Sequence, residues 1–133
     1  MIRKIVILPD VHLTNTTPEE YKIVKKFLKI KCWDEIILLG DFMDVSALSH
    51  WDLDKKRKIE GKRFEYEINN AQKELDYLQT YSKRITYLEG NHENFVERYL
   101  DYNPELEGMI EIPIRLNLKE RKINWVKMND LYK

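Results

Sequence analysis

Three short stretches of this chain bring together carboxylate, amide and imidazole groups at spacings that could do chemistry. Residues 10–12 read Asp-Val-His, 40–44 read Gly-Asp-Phe-Met-Asp and 90–93 read Gly-Asn-His-Glu. In extended chain, residues two apart point the same way, so Asp10 and His12 are expected to share one ion. Gly90 and Asn91 both suit a plain turn, because both tolerate positive φ. Asn oxygen and His nitrogen are also metal ligands, and His92 can in addition deliver a proton. The donors in all three stretches are oxygens and imidazoles with no thiolate. That set suits manganese, iron or zinc, manganese foremost, rather than a structural zinc cage.

Each stretch follows a short apolar run. Residues 4–8 (KIVIL), 35–39 (EIILL) and 84–88 (RITYL) read as buried strands, ended by Pro9, Gly40 and, after Glu89, Gly90. Helices are expected between them. Thr17 as N-cap, Pro18 at the first position and Glu20 three residues after the cap mark a helix start. Tyr21, Val24, Phe27 and Leu28 continue it to about Ile30. Phe64, Ile68, Ala71, Leu75 and Leu78 fall at spacings of four, three, four and three in a longer helix. Residues 93–102 read as a third helix, stopped by Asn103-Pro104, with Glu93 as an acid at the helix start. Residues 123–128 could form a strand, while 105–122 show no firm period. Alternating strands and helices predict an α/β fold with a parallel sheet and flanking helices. In such sheets the chemistry gathers in loops at the carboxyl ends of the strands.

Taken together, the three motifs resemble those of the calcineurin-like metallophosphoesterases, whose order is Asp-x-His, Gly-Asp-x-x-Asp and Gly-Asn-His-(Asp/Glu). The resemblance implies a phosphomonoesterase or phosphodiesterase, nuclease-like activity included, with a dinuclear-type site. It implies that Asp10 and His12 hold the first metal and that Asp41 bridges both. Asn91 would bind the second metal through its amide oxygen. His92 would protonate the leaving oxygen or steady the phosphoryl group, and Asp44 would orient His92. The family pattern continues with another His and then Gly-His-x-His, whereas this chain has three histidines and none beyond His92. Residues 1–133 are therefore expected to form one incomplete domain, the first half of the family's αββα sandwich. Its open sheet face would be covered by residues 105–128 folding back, by the absent half or by a second copy. The alternative reading is a non-catalytic metal-binding, phosphate-binding or interaction fragment of such a domain.

Composition narrows the partners. Lysine plus arginine and aspartate plus glutamate number 23 each, so no global field pulls the chain toward nucleic acid. Locally, Lys55, Lys56, Arg57, Lys58, Lys62 and Arg63 could guide a phosphate backbone, with Trp51 stacking on bases and His50 touching substrate. Cys32 has no second cysteine and is expected to pack beside Trp33. Without disulfides or a long apolar stretch, the expectation is a cytoplasmic protein with no membrane partner.

Overall fold

The computed structural model describes residues 2–49, 51–52 and 54–130. Four strands form one parallel sheet: β1 (Ile5–Leu8), β2 (Glu35–Leu39), β3 (Ile85–Leu88) and β4 (Asn124–Val126). They lie in the order β1-β2-β3-β4, with Ile5 opposite Glu35, Ile36 opposite Ile85 and Thr86 opposite Asn124. The connections carry α1 (Pro18–Leu28), α2 (Lys56–Ile59), α3 (Phe64–Thr80), α4 (Phe95–Tyr102) and α5 (Ile112–Arg115). Single 3-10 turns occupy Ser46–Leu48 and Pro104–Leu106. None of the described helices is long and apolar enough to cross a membrane.

The α/β fold and the expected strands and long helices are present. What the sequence did not show is where the helices go. With strands in sequential order and right-handed crossovers, every connection returns on the same side of the sheet. Val6, Leu8, Ile36, Leu38, Ile85 and Tyr87 face that side and join Leu28, Ile68, Ala71, Leu75 and Leu78 in one core. The opposite face carries Ile5, Ile7 and Leu39, which are 42%, 56% and 48% exposed. At one end of that face Glu35 is buried and accepts from Arg3 and Arg84, each at 2.7 Å. The Thr86 hydroxyl donates to its second oxygen, also at 2.7 Å.

Residues 105–128 do not fold back over the open face. Ile112, Leu116, Leu118 and Ile123 enter the core on the helical side. Gln72 and Gln79 of α3 donate to the carbonyls of Arg115 and Arg121, at 2.7 and 2.9 Å. This segment is built from a 3-10 turn, a four-residue helix and a three-residue strand. β4 lies within the strand expected at 123–128, whereas the turns and four-residue helix before it are too short to complete a sequence period. Cys32 also departs from expectation, lying exposed while its neighbour Trp33 is buried and donates Nε1–H to the Leu28 carbonyl at 3.1 Å.

The start of α1 follows the sequence closely. Glu20 N–H donates to the Thr17 hydroxyl at 3.2 Å, and Thr17 N–H donates to the Glu20 carboxylate at 3.0 Å. This reciprocal cap fixes where the loop carrying Asp10 and His12 ends. Thr17→Ala should lower stability by about 1 kcal/mol. A urea melt should show a lower midpoint with an unchanged slope.

Candidate metal centre

The loops after β1, β2 and β3 meet at one edge of the sheet, and backbone pairing continues past the strands to hold them together. Asp10 N–H donates to the Gly40 carbonyl at 3.3 Å, His12 N–H to Asp41 at 3.0 Å and Leu13 N–H to Phe42 at 3.1 Å. Keeping this pairing through a sharp bend puts Asp10, His12, Asp41 and Val45 at φ of 46°, 47°, 49° and 48°. Left-handed backbone is uncommon for any non-glycine residue and costs about 1–3 kcal/mol at each position. For β-branched Val45 it is an outlier. Four such residues are concentrated in these two adjoining loops, with three more, Asn117, Lys122 and Asn129, near the C-terminal end.

The strain places three side chains together. Ligand atoms of His12, Asp41 and His92 all lie within 4.8 Å of one another, and all three residues are partly exposed. The two imidazole rings meet edge to face at 4.8 Å. In each ring Nδ1 is already engaged: that of His12 with the Asp44 carboxylate at 2.9 Å, that of His92 with the Asp44 main-chain carbonyl at 2.8 Å. The nitrogen each ring has left to offer is Nε2. Imidazoles oriented by a carboxylate or carbonyl at one nitrogen are prepared to bind a cation at the other. Asp41 accepts His92 N–H at Oδ1, 2.8 Å away, which leaves Oδ2 for a ligand. Two imidazoles and a carboxylate match the chemistry of manganese, iron or zinc.

Other expected site residues sit differently. Asp10 is exposed and stands outside the His12–Asp41–His92 group, because its backbone and that of His12 are left-handed rather than extended. Asn91 is exposed, and its amide oxygen accepts from Arg98 at 3.4 Å. The expected Asp44–His92 contact is made by the Asp44 carbonyl. The carboxylate instead serves His12, and also accepts from Thr14 N–H at 2.7 Å and the Asn15 amide at 2.6 Å. It is 1% exposed, and besides these partners it lies close enough to the Glu67 carboxylate to push that group's pKa up. His50 lies outside the described residues. Gly40, at φ +76°, makes a turn that a side chain would strain. Gly90 serves a different purpose from the expected one. Its φ is ordinary, but a Cβ there would collide with the Asp41 backbone nitrogen and carboxylate.

Glu93 is not the helix-start acid that its sequence position suggests, because α4 begins only at Phe95. Its carboxylate is completely buried between the second and third loops. It accepts from Asp41 N–H at 2.9 Å, Met43 N–H at 3.0 Å, Gly90 N–H at 3.0 Å and the Tyr87 hydroxyl at 2.7 Å. Burial pushes its pKa up, and hydrogen bonds from Met43 and Tyr87 pull against that shift. Glu67 of α3 is another buried acid that sequence reading passed over. It takes Ser46 N–H at 3.1 Å and the Thr14 hydroxyl at 3.4 Å, and burial again raises its pKa.

A calcineurin-like phosphoesterase family profile matches residues 3–131. Neither the curated proteins nor the solved structures contain a match to this chain.

Two substitutions probe this arrangement. In Glu93→Gln, one side-chain oxygen becomes an NH2 group facing main-chain donors. Each donor left unsatisfied costs about 1–3 kcal/mol, so stability should fall by that amount or more in a urea titration. Asp44→Asn should weaken manganese binding about 10- to 100-fold, since it disturbs the partner that orients His12. Calorimetric titration measures this, and an unchanged affinity would mean that His12 does not bind the ion.

Proposed function

Because the chain belongs to the calcineurin-like phosphoesterases, we propose that it hydrolyses phosphomonoesters or phosphodiesters with divalent metal, manganese foremost, bound at the carboxyl edge of the sheet. The observation that carries this reading is the convergence of His12, Asp41 and His92 from three separate loops, with ligand atoms within 4.8 Å. His12 and Asp41 hold the first ion; Asp10, which stands outside their group, becomes the third donor when the ion draws its exposed side chain inward. Asp41 and Asn91 are the donors for a second ion. A divalent cation held there supplies positive charge to the phosphoryl oxygens and lowers the pKa of water. His92 faces the same space. Protonated at Nε2, with Nδ1–H held by the Asp44 carbonyl at 2.8 Å, it gives its proton to the leaving oxygen. Asp44 thus positions both imidazoles, one through its carboxylate and one through its main chain.

The second ion has two donors, against three for the first. One ion should therefore bind tightly and the second weakly, and turnover should be slow without further groups at the site. The uncovered sheet face is where such groups would arrive, on additional chain or on a second copy, because parallel sheets are stable with both faces covered. A single cysteine with no thiol partner suits a reducing, cytoplasmic setting.

A second reading rests on the same geometry. If His92 is a third ligand to one ion rather than an acid, the chain is a metal or phosphate binder without catalysis. Calorimetry with manganese and hydrolysis of an aryl phosphate ester separate the two. Asp41→Ala should abolish binding. His92→Ala should keep binding near the original affinity and lower turnover by about 100-fold or more. Loss of binding in His92→Ala favours the second reading, and intact binding in Asp41→Ala sinks both.

A further inference from the structure

The connection between β2 and α3 leaves the site and returns to it. Ser46 N–H donates to Glu67 of α3 at 3.1 Å, and the Thr14 hydroxyl reaches the same oxygen at 3.4 Å. Thr14 lies two residues after His12, so the insert between Ser46 and Glu67 emerges and closes beside the metal centre. Trp51 is five residues from Ser46, within about 18 Å of even fully extended chain. From 51 to 63 the insert carries six bases, Lys55, Lys56, Arg57, Lys58, Lys62 and Arg63, against the acids Asp52, Asp54 and Glu60. All six bases are exposed. Among the described residues the stretch contains one ion pair, Lys58 with Asp52 at 3.4 Å. Four consecutive bases with so little internal neutralisation make a local positive field on a chain whose net charge is zero.

Trp51 adds a second, independent feature. Trp51 is 65% exposed, and Lys55 Nζ donates to its main-chain carbonyl at 3.4 Å. An aromatic ring held at the surface beside cations is what unstacked bases bind: the cations follow the phosphates and the ring takes a base face. A duplex keeps its bases stacked on each other and offers the ring nothing. His12, Asp41 and His92 are all partly exposed, so the metal centre is open to solvent.

We infer that the Trp51–Arg63 insert is a guide for single-stranded nucleic acid, feeding its phosphodiester backbone to the metal centre. The inference builds on the phosphoesterase reading, because it names the substrate of that site. Binding to the guide itself requires neither metal nor hydrolysis.

The test uses the full chain, a chelator and a fluorescently labelled single-stranded oligonucleotide, with anisotropy measured across a salt series. The original chain should bind with affinity that falls steeply with salt. Changing Lys55, Lys56, Arg57 and Lys58 together to Ala should flatten the log–log salt slope by about 2–3 and weaken binding roughly 100-fold near 0.1 M salt. Trp51→Ala should cost roughly 5- to 100-fold with the slope preserved. Lys29→Ala with Lys31→Ala, exposed positions just past the C-terminal end of α1, should change neither quantity. Unchanged binding in the four-alanine variant overturns the guide, and equal affinity for a matching duplex overturns the single-strand assignment. Asp41→Ala separates this inference from its premise. If the phosphoesterase reading fails, that variant and the original chain will be equally inactive, while oligonucleotide binding still depends on residues 55–58.

Discussion

A carboxylate shut away from water persists only when donors surround it, and Glu93 draws its donors from two loops that lie far apart in sequence. Asp41 and Met43 come from the loop after β2, Gly90 and Tyr87 from β3 and its following loop. The result is a buried joint between segments 50 and 52 residues apart in the chain. With that joint in place, Asp41 sits where it can receive His92 N–H. The two side chains are thereby fixed against each other before any ion arrives. The absence of a side chain at Gly90 is part of the same constraint, since the space a Cβ would need is filled by Asp41. A neighbouring joint, centred on Asp44, ties the first loop to the second through His12, Thr14 and Asn15. Two carboxylates that take no part in holding a cation therefore decide where the candidate ligands stand.

Much of the fold was legible because strands and long helices announce themselves over several residues. The β-branched runs 5–8, 35–39 and 85–88 and the stripe from Phe64 to Leu78 each carry a periodic signal, and the Thr17–Glu20 cap is local by nature. The motifs at the strand ends also placed His12, Asp41 and His92 on one edge. Their hydrogen bonding was harder to read. Glu93 finds its donors on Asp41 and Met43, 52 and 50 residues away, and nothing local to residue 93 reports that. The exchange of roles at Asp44, carboxylate to His12 and carbonyl to His92, depends on left-handed backbone at residues chosen for chemistry rather than for turning. Thr14 and Asn15 open a polar run, Thr14-Asn15-Thr16-Thr17, in which nothing local singles out the two that reach Asp44.

The strain in the first two loops has a use in this arrangement. Residues 10, 12, 41 and 45 hold conformations that relaxed chain would leave, and the hydrogen bonds between the loops are what keep them there. A site assembled this way is stiff, because releasing one residue means breaking pairing that supports the others. Stiffness of that kind suits a centre that has to keep ligands in place while phosphoryl groups change charge and shape.

The sequential strand order has a consequence during synthesis. Each strand pairs with the one made immediately before it, so no strand waits for a partner still inside the ribosome. Chains emerge at about 5–20 residues per second, far more slowly than a helix or short loop forms. The sheet can therefore be laid down in the order it is translated, β1 with β2, then β3, then β4. Every group in the joint around Glu93 has been made by the time residue 93 leaves the exit tunnel, so its assembly need not await β4.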